Sequence, residues 1–416
     1  MTSTRVPNGW QSVELVEVAR ECRQRNTDGS LSSDTLLGVF KNEGMVPMRD
    51  RVRGSDVSRC KVLPAGAFAY NPMRLNIGSI ARWAGDADAI VSPDYVVFQC
   101  DERQLSGDFL DYVRQSKDWA TYMENAGKGG VRIRIYFKEL GQFRFLLPPL
   151  PEQRRIAEIL SSVDEAIAAT QAVIEQTRTV KQGVLKRLLT KGIGHTRFKQ
   201  TEIGEIPEAW EVVPLQAIAS VQTGLAKGSN KPDDPVELPY LRVANVQDGY
   251  IDLTEVKSTA VDRSRVARYS LRAGDVLLTE GGDFDKLGRG AVWRAQVEPC
   301  LHQNHVFAVR PNQEVLLSDF LAAQTASDHG RRYFLSCAKQ TTNLASINST
   351  QLKEFPAIVP PLKEQSAINA RTAALQEAED VAKASLRRLE QIKSALMSDL
   401  LTGRKRVPMA ELAAAE

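Results

Sequence analysis

The stretch PPLPEQRRIAEIL at residues 148–160 returns as PPLKEQSAINART at residues 360–372, and this duplication decides the fold. The offset between the two copies is a constant 212 residues. The similarity continues without a gap to LKRLLT at 185–190 and MSDLLT at 397–402, and 13 of the 43 aligned positions are identical. A match of this length at one fixed offset predicts an internal repeat.

Two further matches lie upstream of the repeated segments. Five residues recur at an offset of 200: Pro7, Trp10, Val13, Leu15 and Ala19 return as Pro207, Trp210, Val213, Leu215 and Ala219. LPAG at 63–66 returns as LRAG at 271–274, an offset of 208. Offsets that grow from 200 to 212 indicate related units with small insertions. The chain is therefore interpreted as module, helix, module, helix, which is too few copies for a solenoid.

Both repeated segments have the hydrophobic spacing of a coiled-coil helix. From Ile156 and from Ile368, seam residues return at alternating steps of four and three. The predicted seam is Ile156, Leu160, Val163, Ile167, Thr170, Ile174, Thr177, Lys181, Val184 and Leu188, then Ile368, Thr372, Leu375, Glu379, Ala382, Leu386, Leu389, Lys393, Leu396 and Leu400. About 40 residues give a rod of ~60 Å. Two such rods most simply pair with each other; the alternative is that each packs on its own module.

The ends of both helices carry boundary signals. Pro148-Pro149 and Pro360-Pro361 mark where they begin, because proline does not continue a helix backwards. Glu152 and Glu364 place a carboxylate in the first turn, where the helix dipole favours it. Gly192 and Gly403 are suited to end the helices.

The segments between the helices have mixed character. Runs rich in β-branched and aromatic residues predict strands at Tyr95–Phe98, Val131–Phe137, Asp275–Thr279 and His305–Val309, and helices are predicted at Ser106–Ser116 and Leu316–Ser327. The predicted fold class is α+β, with two mixed modules separated by two long antiparallel coiled-coil helices in a pseudo-twofold repeat. The predicted boundaries are 1–147 (first module), 148–194 (central helix), 195–359 (second module), 360–406 (distal helix) and 407–416 (tail).

The composition is that of a globular protein, with 43% hydrophobic and 25% charged residues among 416. A net charge of +3 permits nucleic acid as a partner but does not require it. The N-terminal residues lack the apolar core of a signal peptide, and no apolar stretch approaches 18 residues, so we expect no membrane partner. Five cysteines without a CxxC pair predict free thiols in a reducing cytoplasm.

Motifs for catalysis or metal binding are sparse. Gly127-Lys128 is followed by glycine, so there is no phosphate-binding P-loop, and no GxSxG nucleophile elbow occurs. Cys300, His302 and His305 in CLHQNH form only a weak zinc pattern, since nothing completes a tetrahedral site. We therefore predict no catalytic residues, no metal ligands and no cofactor bound by this chain.

One loose match points to a different function. Asp233, Glu255 and Lys257 have the PD…ExK spacing of Mg²⁺-dependent nucleases, in which two carboxylates and a lysine hold the metal and position water. The pattern is short, common by chance, and absent from the first module. A solvated charged loop is the stronger interpretation, and a nuclease remains the alternative.

Both modules carry hydrogen-bonding side chains on loops punctuated by glycine. Arginine and lysine suit guanine edges and phosphates, and asparagine and glutamine suit adenine edges. The candidate contacts are Arg49, Tyr70, Asn71, Arg74, Asn76, Lys128 and Arg132 in the first module, and Arg242, Asn245, Lys286, Arg289, His302, Gln303, Asn304, Lys339, Gln340 and Thr341 in the second. Two such modules on a rod indicate a two-headed reader of a polymer. A coiled-coil scaffold whose modules bind proteins is a further alternative.

The chain resembles the specificity subunit of type I restriction–modification enzymes. The resemblance rests on the repeated PPLxEQ at 148–153 and 360–365, on helices that end in LLT, and on IPEAWEVVPL at 206–215. LRAGDVLLTEGGDFDKLGRGAVW at 271–293, HQNHVF at 302–307 and KQTTNLASINSTQL at 339–352 resemble one type of target recognition domain. The first module departs from it, with YNPMRLNIGSIARW where the glycine-rich segment would stand.

This resemblance implies a DNA-binding function without catalysis by this chain. Each module would read one half of a split double-stranded DNA target, and the helices would set the spacing and bind two methyltransferase subunits. Restriction subunits would join them. Adenine methylation with S-adenosylmethionine, and cleavage with ATP and Mg²⁺, would belong to those partners. Ile159, Val173 and Val180 flank the seam and are the predicted subunit-binding residues.

Overall fold

The computed structural model describes residues 6–41, 43–48, 56–126, 134–226, 232–282, 287–340 and 345–408. The chain divides into two compact units: unit 1 is Met1–Ala172 with Ala384–Glu416, and unit 2 is Val173–Lys383. Each of the two long helices is thus shared between the units. Within the described ranges, no helix has both the length and the apolar character that a bilayer span requires.

Unit 1 combines two sheets with short helices. Its strands are β1 (Gln11–Glu14), β2 (Ala19–Cys22), β3 (Leu36–Phe40), β4 (Gly44–Pro47), β5 (Lys61–Leu63), β6 (Phe68–Tyr70), β7 (Ile80–Arg82), β8 (Ala89–Val91), β9 (Val96–Cys100) and β10 (Arg144–Leu147). Its helices are α1 (Leu15–Val18), α2 (Gly107–Val113), α3 (Lys117–Ala126), α4 (Phe137–Leu140) and the first part of α5 (Leu150–Lys191). The sheets have the orders β2-β9-β6-β7 and β4-β3-β8-β5, and β1 pairs with β10.

Unit 2 has a related arrangement. Its strands are β11 (Phe198–Thr201), β12 (Gly204–Pro207), β13 (Glu211–Pro214), β14 (Ala219–Thr223), β15 (Pro235–Leu241), β16 (Lys257–Asp262), β17 (Val276–Thr279), β18 (Gly281–Gly282), β19 (Gly290–Val292), β20 (Leu301–His302), β21 (Val306–Pro311), β22 (Lys339–Gln340), β23 (Ala345–Ser346) and β24 (Pro356–Val359). Its helices are α6 (Val266–Tyr269), α7 (Ser318–Ala326), α8 (Asp328–Cys337), α9 (Ser349–Lys353) and the first part of α10 (Leu362–Leu400). The sheet orders are β14-β21-β17-β19, β16-β15-β20 and β18-β23-β22, with β11 paired to β12 and β13 to β24.

The repeat in the sequence is also present in the backbone hydrogen bonds of the two units. The bond from Trp10 N to Pro7 O in unit 1 matches the bond from Trp210 N to Pro207 O in unit 2, at 3.0 Å each. Leu15 N bonded to Phe143 O matches Leu215 N bonded to Phe355 O, at 2.9 Å each. Gly66 N bonded to Trp83 O at 3.1 Å matches Gly274 N bonded to Trp293 O at 2.9 Å. The ribbon β1·β10, in which Gln11 faces Leu147, matches β13·β24, in which Glu211 faces Val359. The two units therefore share one fold.

The predicted strands and helices of the modules mostly lie where the sequence placed them. Strands β9, β17 and β21 and helices α2 and α7 match five of the six predictions to within three residues. The strand predicted at Val131–Phe137 is wrong in its described part, because Phe137 begins α4. Glu139 accepts a hydrogen bond from the Tyr136 amide at 3.0 Å, and this local cap favours a helix start over a strand.

The first turn of α5 is fixed to unit 1 by a buried carboxylate. Glu152 is 1% exposed and accepts a hydrogen bond from the Trp10 indole nitrogen at 3.0 Å. The Arg406 guanidinium, which follows α10, donates to both Glu152 oxygens at 2.6 and 2.8 Å. This carboxylate, which the helix dipole is predicted to stabilise, therefore also joins three distant segments of unit 1.

Unit 2 repeats this arrangement with a histidine in place of the arginine. Glu364 accepts hydrogen bonds from the Trp210 indole at 2.9 Å and the Ile193 amide at 2.8 Å, and His195 Nε2 lies 2.9 Å from both of its oxygens. Burial alone would raise the pKa of Glu364, but these hydrogen bonds hold it below its usual value. Gly192 ends α5 with a φ of +63°, and a Cβ there would lie 2.5 Å from the Glu364 carboxylate. Glycine is therefore required at this helix end.

The neighbouring glutamine ties each helix to its own module. Gln153 is fully buried; its Oε1 accepts from Ser106 N at 2.8 Å, and its Nε2 donates to the carbonyls of Gln104 and Pro148 at 2.8 and 2.9 Å. Gln365 makes the same set with Leu317 N, Val315 O and Pro360 O, at 2.9, 2.8 and 2.8 Å. Because an amide with three satisfied bonds has one orientation, we infer that each module holds a fixed angle to its helix.

The predicted seam is buried or half-buried at every one of its 20 positions. Within unit 2, Lys181 on α5 donates to Gln376 on α10 at 2.6 Å. Within unit 1, Lys393 on α10 lies 2.7 Å from Asp164 on α5. These two pairs are related by the 212-residue offset, and early residues of one helix meet late residues of the other. The helices thus run antiparallel within each unit, and their ends also pack on the module cores.

Glu379 is the buried charge of the seam in unit 2. It is 3% exposed, and Lys383, Lys181 and Arg178 lie 2.7, 2.8 and 3.0 Å from its carboxylate. Hydrogen bonds from Lys181 and Lys383 lower the pKa of Glu379 to about 2. The repeat-equivalent residue in unit 1 is Ile167, so this cluster distinguishes the two halves of the seam.

We expect Glu379→Gln to lower the free energy of unfolding by about 1–3 kcal/mol at pH 7, because three cations lose their shared carboxylate while remaining partly solvated. The pKa of Glu379 is lowered from 4.5, so its contribution is complete above pH 4.5 and is lost as the pH falls toward 2. Urea unfolding should therefore give a smaller difference at pH 3 than at pH 7. Glu377→Gln, at an exposed position of the same helix, is the matched control. Equal stability of the two variants at pH 7 would contradict the assignment.

Candidate nucleic-acid interface

The turn between β20 and β21 is the centre of the candidate site in unit 2. The Val306 amide donates to Gln303 O at 2.9 Å and closes the turn. His302 is 1% exposed, and its Nδ1 lies 2.7 Å from Val306 O, so the ring donates a proton to that carbonyl. Burial lowers the pKa of His302 and favours the neutral ring. The prediction that His302 contacts a ligand is wrong; it holds the turn that presents Gln303 and Asn304.

Backbone hydrogen bonds gather the other polar loops around this turn. Gln303 N donates to Leu241 O at 2.9 Å, which ties in the loop after β15. Leu225 N donates to His302 O at 2.7 Å, and a Cβ on the preceding Gly224 would lie 2.1 Å from that same oxygen, so only glycine allows the approach. Glu280 N donates to His305 O at 3.0 Å, and Ile347 N donates to Glu280 O at 2.8 Å. Four loops that are far apart in sequence thus meet around the β20–β21 turn, and together with it they form one edge of unit 2.

The side chains at this edge differ in how free they are to bind. Lys339 is exposed, and Gln303, Asn304, Arg242 and Arg289 are half-buried. Arg242 Nη2 donates to Glu255 O at 3.3 Å. The Nε atoms of Arg242 and Arg289 are buried and have no hydrogen-bond partner among the described residues.

Asn245 has a structural role instead of the predicted binding role. It is 3% exposed; its Oδ1 accepts from Arg242 N at 2.9 Å, and its Nδ2 donates to Asp252 O and Glu255 O at 2.9 and 3.0 Å. These bonds engage both the oxygen and the nitrogen of the Asn245 side chain in contacts within the protein. Asn245 therefore positions Arg242, and the prediction that it contacts a ligand is wrong.

Unit 1 forms the equivalent edge with different residues. Ile135 N donates to Pro72 O at 3.1 Å, which matches the bond from Ile347 N to Glu280 O in unit 2. Arg74 and Asn76 are exposed on this loop. Asn71 is half-buried and accepts a hydrogen bond from Met73 N at 3.0 Å through Oδ1, which shapes the turn.

Tyr70 does not lie on that edge, and the prediction that it contacts a ligand is wrong. Its side chain is fully buried, with its ring centroid 6.3 Å from that of Phe98. Burial raises the pKa of its hydroxyl, which has no hydrogen-bond partner among the described residues. An aromatic residue at the end of a core strand is packed like its apolar neighbours. Several other predicted contacts lie outside the described residues: Arg49, Lys128, Arg132, Lys286, Thr341 and the side chain of Gln340.

The nuclease alternative receives no support from the geometry. In the hairpin β15·β16, Pro235 faces Asp262 and Tyr240 faces Lys257. Asp233 precedes one end of the hairpin and Lys257 stands at the other, so they lie roughly 17 Å apart along the strands. Glu255 instead forms an ion pair with Lys257 at 3.5 Å. Across the described part of the chain, no group of three or more His, Cys, Asp and Glu side chains could hold a metal ion.

Comparison with known proteins supplies the family. The model of the type I restriction modification DNA specificity domain matches residues 86–177 and 207–391. The chain belongs to this family. It is a DNA specificity subunit, with a recognition role in place of a catalytic one.

Individual relatives agree with this assignment. The chain is 28% identical over 325 residues to the type I restriction enzyme MjaVIII specificity subunit of Methanocaldococcus jannaschii, covering 76% of this chain and 75% of that one. It is 34% identical over 173 residues to a putative MjaX specificity subunit of the same organism, covering 41% of this chain and 40% of the relative. A chain from a solved type I restriction–modification system has a TM-score of 0.60 at 18% identity, covering 95% and 98% of the two chains, which shows a shared fold.

The predicted subunit-binding residues of this specificity subunit differ in exposure. Val173 and Val180 are 52% and 46% exposed on α5, whereas Ile159 is half-buried against the core of unit 1. The residue 212 positions after Val180 is Ile392, which is 41% exposed on α10. Sequence reasoning missed this residue and the positioning roles of the tryptophan and Glu-Gln pairs. The repeated motifs carried the signal for the positioning roles, because the tryptophan, the glutamate and the glutamine each recur in both copies.

We predict that Gln303 and Lys339 affect DNA binding differently. Gln303→Ala should cost ~1–3 kcal/mol at one base pair and relax specificity there, because an amide reads base edges. Lys339→Ala should weaken binding to all sequences similarly and flatten the salt dependence, because lysine contacts phosphate. Competition binding of single-base variants of the target, at several salt concentrations, measures both effects. A uniform loss for both variants would contradict the division.

Proposed function

We propose that the chain reads a bipartite, asymmetric double-stranded DNA target, with one unit for each half-site. One observation carries this proposal: both units place the same two loops together with the same backbone bond, Ile135 N to Pro72 O and Ile347 N to Glu280 O. The loops then differ in side chains, with Met73 and Arg74 where unit 2 has Gly281 and Gly282. One scaffold with two different surfaces fits two different half-sites.

We further propose that α5 and α10 form one antiparallel coiled coil along their whole length. The repeat-related pairs Lys181–Gln376 and Lys393–Asp164 support a single register. The boundaries proposed for the functional domains are 1–147 and 195–359 for target recognition, 148–194 and 360–406 for the helices, and 407–416 for the tail. The rigid attachment by Gln153 and Gln365 would make the coiled coil a ruler between the half-sites.

The proposed partners are two methyltransferase subunits and the restriction subunits of a type I complex. Exposed apolar residues at equivalent positions, Val180 and Ile392, support two equivalent docking places for the methyltransferase subunits. The proposed complex methylates adenine with S-adenosylmethionine and cleaves DNA with ATP and Mg²⁺, all bound by the partners. We place it in the cytoplasm, where the DNA lies.

A paired insertion tests the ruler. Seven residues added after Ala172 in α5 and seven after Lys383 in α10 preserve the 4-3 seam and add ~10.5 Å. At ~3.4 Å per base pair, the spacer of the DNA target should lengthen by up to about three base pairs, with both half-sites unchanged. Sites within the helices are chosen because Ile193, just beyond α5, is bonded to Glu364.

Selection from a duplex library with random spacers measures the outcome in the complex with methyltransferase subunits. The control is the same insertion in α5 alone, which moves Lys181 away from Gln376 and should weaken binding at every spacer length. An unchanged spacer with full affinity in the paired variant, or altered half-site bases, would contradict the proposal.

A further inference from the structure

One edge of unit 1 exposes four large apolar side chains. Phe40, Met73, Ile77 and Tyr136 are 46%, 50%, 50% and 48% exposed. Scattered exposed apolar residues are common, but several on adjoining loops mark a binding surface. We name these four residues the apolar edge.

Two hydrogen bonds show that the loops of the apolar edge adjoin one another. The Ser79 hydroxyl donates to Val39 O at 2.9 Å, which joins the end of the Asn71–Ser79 loop to the strand that ends at Phe40. The other end of that loop is tied to the 134–136 segment by the bond between Ile135 N and Pro72 O. Met73 and Ile77 lie between these two ties.

The apolar edge occupies the position that corresponds to the loops proposed to contact DNA in unit 2. Pro72 and Ile135 are the equivalents of Glu280 and Ile347, at offsets of 208 and 212, and both pairs are joined by the same backbone bond. Unit 2 there presents glycines and polar side chains around Gln303. Exposed Lys41, Arg74 and Arg134 flank the apolar edge, and their positive charge suits DNA phosphates.

We propose that Met73 and Ile77 read thymine in the half-site of unit 1 by packing on its C5 methyl group in the major groove. The inference rests on the proposed function. The thymine methyl is the apolar feature of the major groove, and an apolar side chain recognises it without a hydrogen bond. Unit 1 therefore reads part of its half-site by apolar contact, whereas unit 2 relies on polar groups.

Replacement of thymine by deoxyuridine tests this directly, because it removes only the methyl group. In the complex with methyltransferase subunits, each thymine of the target is replaced in turn and the affinity is measured. At one or more positions of the unit 1 half-site, the wild-type chain should lose about fourfold, the value that ~0.8 kcal/mol for one buried methyl group gives. Met73→Ala or Ile77→Ala should abolish this thymine preference, and Met73→Leu should keep it.

Val16→Ala is the matched control, because Val16 is 52% exposed in unit 1 but lies on α1, where its amide is bonded to Gly141. It should keep the full thymine preference.

The inference is overturned if the wild-type chain is indifferent to deoxyuridine at every position. If that chain still prefers the target over scrambled DNA, the proposed function is left standing. No preference over scrambled DNA overturns both. An undiminished thymine preference in both alanine variants, or failure of Met73→Ala to assemble with methyltransferase subunits, would assign the apolar edge another role.

Discussion

The structure depends on how the first turn of each long helix is bonded to its module. A glutamate and a glutamine stand side by side there, and both are buried in the first copy. The glutamate is bonded to a tryptophan indole. The glutamine is bonded to one amide and one carbonyl of its own module, and to the carbonyl of a proline just before the helix. Removing either side chain would leave buried groups without partners, at a cost of ~1–3 kcal/mol for each group. The orientation of each module relative to its own helix is therefore fixed by hydrogen-bond geometry. The proposed role of the helices as a ruler between the half-sites requires this fixed orientation.

The two copies of this junction are completed by different basic side chains. Unit 1 uses the guanidinium of Arg406, and unit 2 uses the imidazole of His195. The seam differs in the same way, with buried Glu379 in one unit and Ile167 in the other. A duplicated scaffold has thus kept its backbone and changed its side chains, both at the junctions and on the loops.

The sequence predicted the parts of the fold that repeat or have a regular period. Every position that the 4-3 spacing assigned to the seam is buried or half-buried, and the prolines and glycines lie within three residues of the helix ends. The sites of single polar residues were harder to predict, because burial depends on distant neighbours. Tyr70, Asn245 and His302 have the chemistry of contact residues, yet each lies inside the protein. Trp10 and Glu152 meet across 142 residues, and no local pattern indicates such a contact.

We propose that each unit reads its own half-site of the DNA target. The most direct test replaces residues 211–359 by residues 11–147, joining the chain where Glu211 faces Val359 and Gln11 faces Leu147. Sequencing of methylated bases in a host that carries this chain and its methyltransferase partner then gives the new target. If each unit reads its own half-site, the new target should contain two copies of the unit 1 half-site. Persistence of the original unit 2 half-site would contradict this proposal.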